Sequence, residues 1–399
     1  MKKRIALYLI VNIARLVLGA TYVFSGLTKA VDPAGMEHKL MAYFRQWDIL
    51  TWTADSLWLT AIVLLLATVE FMLGIWLLIG IRRRFTSFAL AAITAVFTLL
   101  TIYIYIKEPV PDCGCFGDAI KLTNGQTLLK NIVLLTLTLP ILLYSHAIYR
   151  LVRRSTQWLA SLVSAVFIVA CGIYSSSYVP LVDFTNYVPG FSFNSAMEGK
   201  LGDQALEDAF NFAVLDTAGN DITPDVTLSE GYTFLAIAQP LSSTDRSVSD
   251  RIAEIYRRAK QQGDCQFYFL TASDSAAFAT WRDATDAPYV PHHTDEGVLH
   301  SAAKTNPGLL LLHNDTIVAK WGRHNLPNIV DAQNQPVALQ KLEQKPQKPT
   351  RRLTKLLVAL TIPLIFIIFA DAIMAGTLTL RRKSLRRMAK QRTQQPANQ

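Results

Sequence analysis

Apolar residues in this chain gather into long unbroken runs separated by short polar stretches. Six runs stand out, at about residues 5–27, 57–79, 85–106, 128–148, 158–178 and 356–378. At about 1.5 Å of rise per residue, each can carry a helix across roughly 30 Å of bilayer hydrocarbon. The first begins MKKRI, as a secretory leader does. It is longer than a leader's apolar segment, carries Arg15 within it and continues into SGLTKAVDP rather than a small-residue cleavage site, so it reads as a retained helix. Residues 1–155 thus predict a four-helix membrane unit, and 156–180 a fifth helix.

After about residue 200 the pattern changes to short strand-like and helix-like segments of ordinary polarity. FNFAVLDTAGN reads as a strand and turn, YTFLAIAQ as a buried strand, and STDRSVSDRIAEIYRRAKQQG as an amphipathic helix ended by Gly263. QFYFLTAS is another buried strand, FATWRDAT a short helix, and PGLLLLHNDTIVAKWGR a hairpin turning at Asn-Asp. The order β–β–α–β–α–β–β predicts an inserted α/β domain at 200–330. A polar linker at 331–352, rich in Gln, Lys and Pro, then leads to a sixth helix at 353–378 and a basic tail at 379–399.

Composition adds topology. Of 399 residues, 51% are hydrophobic and 17% charged, with a formal net charge of +9. The positive charge is clustered: Lys2-Lys3-Arg4, Arg82-Arg83-Arg84, Arg150 with Arg153 and Arg154, and five basic residues from Arg381 to Arg387. If each run crosses once, all four clusters fall on one side, which is the positive-inside pattern and not a nucleic-acid footprint. The expectation is an integral protein of the plasma (inner) membrane with both termini cytoplasmic. Residues 28–56, 107–127 and about 179–350 then lie outside, and the bilayer is the first partner.

Within the runs, Arg15 and Glu70 are the polar residues whose depths along their helices bring them together. A structural ion pair between two helices is the plainer reading, a proton or quinone site the functional one. Two of the four cysteines, Cys113 and Cys115, share the loop PVPDCGCFGDAIK on the expected oxidising side. A disulfide across one residue is geometrically tight, stabilises little because its ring is short, and suits exchange better than stapling. A structural or incidental role is a second reading, and a metal site approached by His38 a third. Lys29 and Asp32 could meet this loop, where a cation lowers a thiol pKa. Cys171 and Cys265 read as packing thiols, and PHHTDEG, with His292, His293 and more distant His300, as a polar loop. No metal site is assigned.

RLVLGATYVFSGLTKAVDPAG, EFMLGIWLLIG and DCGCFGD resemble the DoxX-like membrane family, and within it the MauE-type branch of methylamine utilisation. The resemblance covers about residues 5–150. It implies a four-helix membrane protein tied to periplasmic thiol–disulfide chemistry, supporting maturation of a disulfide-rich protein; it says nothing here about methylamine. The later domain resembles the thioredoxin-like fold of the TlpA and AhpC type. That resemblance puts Pro307 in the cis-proline place and makes the surface around it partner-binding. The redox position reads QPLSSTDRS, without cysteine, so the family's dithiol route is closed.

The chain therefore reads as an α-helical membrane bundle with an inserted extracytoplasmic α/β domain. Cys113 and Cys115 are its candidate catalytic pair, exchanging electrons with a periplasmic thiol protein or a membrane quinone. The alternative is a non-enzymatic scaffold that recruits a client through the cysteine-free domain. A transporter finds no inverted repeat to support it.

Overall fold

The computed structural model describes residues 2–47, 57–107, 114–263, 265–330, 335–346 and 348–394. The apolar runs form α1 (Lys2–Val31), α3 (Leu57–Ile79), α4 (Arg83–Lys107), α5 (Asn124–Leu143), α6 (Gln157–Ser177) and α13 (Pro349–Gln394). These six are long and apolar enough to cross a membrane. The chain is an integral membrane protein.

The first loop holds a helix that the hydropathy pattern hides, α2 (Pro33–Trp47). Its polar majority obscures Met36, Leu40, Tyr43 and Trp47, which recur at helical spacing on one face. Helices α1 and α3 pack most closely, through glycines. A Cβ at Gly26 would stand 2.5 Å from the Ala67 carbonyl oxygen, and one at Gly74 would stand 2.6 Å from the Val23 nitrogen. Small residues let backbones approach inside a bilayer, and here they set the register of the pair. Thr94 and Thr98 of α4 return their hydroxyls to the carbonyls four residues back. Asn131 of α5 reaches Thr101 of α4 at 3.2 Å. Asp371, buried in α13, accepts hydrogen bonds from the Arg153 backbone N–H and the Thr156 hydroxyl just before α6.

Between α6 and α13 lie α7 (Phe193–Met197), α8 (Asp203–Asn211), α9 (Thr223–Thr227), β1 (Tyr232–Ala238), α10 (Ser249–Gln262), β2 (Cys265–Thr271), α11 (Ser275–Thr285), β3 (Pro291–His293), α12 (Glu296–Ala302), β4 (Gly308–His313) and β5 (Thr316–Gly322). The sheet order is β3-β2-β1-β4-β5. β1, β2 and β3 are parallel, while β4 pairs antiparallel with both β1 and β5. One face packs on α10 and α11 through Ile252, Ile255, Phe278 and Trp281, the other on α7, α8 and α12 through Phe193, Ala205 and Leu299. This sheet order, with helices on both faces, is a thioredoxin-like arrangement; the Asn306–Pro307 bond that enters β4 is cis.

The strand expected in FNFAVLDTAGN does not form. Phe210 and Asn211 end α8, and Leu215 makes only isolated bridges to Asp221 and His293. The Asp216 carboxylate accepts from the Ala218 and Asn220 N–H groups, which curls the chain out of extended pairing. PHHTDEG, expected as a loop, supplies edge strand β3. The domain also begins earlier than residue 200, because Tyr187, Phe191 and Phe193 join its core. Nor does the described part of the 331–352 segment run free: Leu339 is buried in the core and Glu343 accepts from Tyr232 Oη at 2.7 Å.

Candidate functional site

Cys113 lies outside the described residues. Cys115 is half-buried and packs beside Tyr43, Ile104 and Trp47. Its backbone carbonyl is held by two donors of the membrane unit, Lys29 and Ser25, which Glu70 draws together at one point. Lys29 Nζ lies 2.7 Å from the Cys115 carbonyl oxygen and 2.7 Å from Glu70 Oε2. The Ser25 hydroxyl sits 2.7 Å from Lys29 Nζ, from Glu70 Oε2 and from the same carbonyl. Lys29 and Glu70 are almost fully buried. A buried ion pair is tolerated when hydrogen bonds complete it, and the cysteine loop completes this one.

Glu70 therefore pairs with Lys29 and not with Arg15. Arg15 instead donates to the carbonyls of Leu78 and Tyr149 and to Asn12 Oδ1. Glycine contacts put Gly19 beside Leu78 and Gly26 beside Phe71, so Arg15 is level with the far end of α3. Glu70 is level with the segment from Ser25 to Lys29, several turns away. Depths counted separately along two helices could not supply this register.

Above the loop the thioredoxin-like domain meets the membrane unit. Lys304, three residues before Pro307, extends its ammonium to Asp118 at 2.6 Å and Asp32 at 3.2 Å. Lys39 reaches Asp118 from α2 at 3.2 Å. Burial opposes ionisation of Asp118, but Lys304 and Lys39 outweigh it and hold this carboxyl below the usual range. Asp32 has the longer contact, and burial wins there, pushing its pKa up to about 6. Burial also opposes the Lys304 charge, yet the flanking carboxylates hold its pKa above the ordinary lysine value.

His38 of α2 packs on His300 of α12, ring centroids 4.3 Å apart. No cluster suited to a metal occurs among the described residues. Burial, then the neighbouring His300, lowers the His38 pKa to about 4. The folded state thus binds fewer protons at this site than the unfolded state between pH 6.5 and 4, so stability falls as pH drops through that window. Asp32 acts with opposite sign, since its raised pKa makes stability fall as pH rises between about 4 and 6. We predict that His38→Phe, which keeps a ring, is more acid-resistant than the wild type. The difference in unfolding free energy between the two should widen by about 2 kcal/mol from pH 7 to pH 4. Thermal unfolding across pH checks this; parallel curves would count against it.

In the loop after β1, the Ser243 and Thr244 hydroxyls meet Asn306. Asn306 Oδ1 accepts from the Gln239 N–H at 3.1 Å and lies 3.0 Å from Thr244 Oγ1, while its amide donates to Ser243 Oγ at 3.1 Å. Pro307 itself is buried. Cys171 is buried in α6 and Cys265 begins β2.

Residues 7–145 match the family model of methylamine utilisation protein MauE. The match spans α1 to α5 and includes Lys29, Glu70, both loop cysteines and Asp118. It covers well under half of the chain. Among solved structures, the thioredoxin domain of a thiol-disulfide oxidoreductase from Bacteroides vulgatus is 16% identical with a TM-score of 0.23. It covers 27% of this chain and 81% of that one. A secreted Mycobacterium tuberculosis disulfide oxidoreductase is 11% identical with a TM-score of 0.23, covering 38% and 98%. Likeness at this level says nothing about activity. No curated protein matches the chain.

Sequence reasoning singled out Cys115, Lys29, Asp32 and Glu70, which the fold brings to one region. It overlooked Lys304 and Asp118. The only cue was a lysine just before the cis-proline place, and nothing in the sequence marks that lysine as buried.

Proposed function

We propose that this MauE-like chain is a membrane thiol–disulfide exchanger, with Cys113 and Cys115 as its working pair on the outer face of the plasma membrane and both termini in the cytoplasm. The supporting observation is the anchoring of the Cys115 carbonyl on the buried Lys29–Glu70 pair. A loop of incidental cysteines has no need of a buried ion pair, whereas an exchanging pair must be held in place while its bonds change. A thiolate of a periplasmic client attacks one sulfur of the disulfide, forming a mixed disulfide and releasing the other sulfur as thiolate. A second thiolate of the client then attacks the client sulfur of the mixed disulfide, so the client leaves with a disulfide and both loop cysteines are left reduced; attack by the remaining loop cysteine only reverses the first step. The thioredoxin-like domain carries no dithiol in this scheme. It positions the loop through Lys304, and the surface around Pro307 is where a partner docks. The scaffold alternative draws less support, because it leaves the anchoring of the Cys115 carbonyl without a role.

Thiol trapping in native membranes tests the reading. The expected result is a Cys113–Cys115 disulfide that cycles with reductant, with a mixed disulfide accumulating in Cys113→Ser or Cys115→Ser. Permanently reduced thiols, with unchanged function in both variants, would leave the scaffold.

A further inference from the structure

The membrane unit contains a cavity of ≈ 170 Å³ lined by residues of α1 to α5, with Cys115 in its wall. Its lining is largely aliphatic and aromatic, including Trp47, Tyr43 and Phe97. Polar groups are confined to a few places: Lys29 and Glu70 near Cys115, Lys130 and Asn131 with Thr101, and Tyr22, whose hydroxyl lies 2.7 Å from Thr94 Oγ1. Thr94 and Leu134 sit near the middles of α4 and α5, so the cavity reaches well into the bilayer. Helices α2 and α4 meet over it through a hydrogen bond from Trp47 Nε1 to Tyr103 Oη, 2.8 Å long.

We propose that this cavity binds the head group of a lipid-soluble quinone, which reoxidises the reduced Cys113–Cys115 pair; the inference rests on the exchange reading above. Three features point to that ligand class. An apolar cavity of about 150 Å³ accommodates a benzene ring, so this one takes a quinone ring while its tail must pass between helices into lipid. A hydrocarbon tail alone would have no use for an ammonium and a carboxylate buried in the wall, and a water-soluble oxidant would find almost no polar lining. Quinone carbonyls accept hydrogen bonds, and the Lys130 ammonium, 4.4 Å over the Phe116 ring, is a donor on that wall. The chemistry balances. Two thiols lose two electrons and two protons as the S–S bond forms, and the quinone takes up both electrons and both protons to become a hydroquinone.

The test uses the full chain in lipid nanodiscs, its thiols reduced beforehand, with a short-tailed ubiquinone as probe. Disulfide formation is followed by alkylation, and occupancy by photolabelling with an azidoquinone. Leu134→Trp fills the cavity, and Leu66→Phe is a milder filler should the first fail to fold. The expected result is quinone-dependent oxidation about ten-fold slower in a filled variant than in the wild type, with labelling of cavity residues lost in parallel. Equal oxidation in wild type and filled variants would overturn the site. Labelling without thiol oxidation would overturn the electron step, and labelling displaced equally well by a long-chain alcohol would make the cavity an acyl slot. The mixed-disulfide trap run on the same preparation separates the two claims. Trapping with a silent quinone sinks this inference alone, whereas neither signal sinks the exchange reading as well.

Discussion

Replacing Lys304 with methionine is expected to detach the thioredoxin-like domain from the cysteine loop. The ammonium holds Asp118 at 2.6 Å and Asp32 at 3.2 Å, and its side chain is 2% exposed. Without it, Asp32 becomes a buried carboxylate with no cation in contact. Breaking one side of a buried pair costs about 3–5 kcal/mol. Asp118 keeps Lys39, which limits the damage on that side. The predicted outcome is earlier thermal unfolding and faster protease cleavage in the Asp32–Met36 segment, with the α/β core itself intact. Lys304→Met combined with Asp32→Asn should recover a large part of the loss, because the neutral amide no longer needs a counter-charge. If the single variant behaves as the wild type in both assays, the clamp does not hold the domain down.

The second large effect is expected at Glu70. Glu70→Leu strands Lys29 inside the membrane unit, and the cost is again about 3–5 kcal/mol. The loss has a second consequence, because Lys29 is one of the two donors holding the Cys115 carbonyl. The double variant Lys29→Met/Glu70→Leu replaces the pair by apolar side chains and should regain most of the stability, as buried pairs often can be exchanged for packing. It should not regain the anchoring of the loop. Thermal stability and the alkylation rate of the reduced cysteines thus part company: the first returns towards the wild type, the second stays changed. Recovery of both would show that the pair serves stability alone.

These two sites were unequally legible in the sequence. Lys29 ends a long apolar helix and Glu70 interrupts another, so each stands out as a charge in hydrocarbon surroundings. Their pairing was hidden, and Arg15 was the wrong partner. The register of α1 against α3 comes from glycines at 19, 26 and 74 meeting a facing backbone, a contact that no single-helix count contains. Asp118 and Lys304 are separated by 186 residues and lie in different units. A lysine in VLHSAAKTNPG has the composition of an exposed position, and only docking on the membrane unit buries it.

Read alone, the sequence determined the six spanning helices, the sheet strands of highest apolar content, the cis-proline place and the absence of thiols opposite it. The helices and strands follow from local physics, since hydrocarbon thickness sets helix length and alternating or continuous apolar runs set strands, whereas the cis-proline place and the position opposite it followed from the resemblance to thioredoxin-like chains. The tertiary structure decided the rest. It placed α2 in what reads as a loop, because a helix with one apolar face among polar ones shows no apolar run. It dissolved the strand expected near Leu215, because the Asp216 carboxylate captures backbone donors from the residues that would have extended it. It joined Lys29 to Glu70 and Lys304 to Asp118, because charges removed from water must find partners, and which partner is within reach depends on how helices and domains pack.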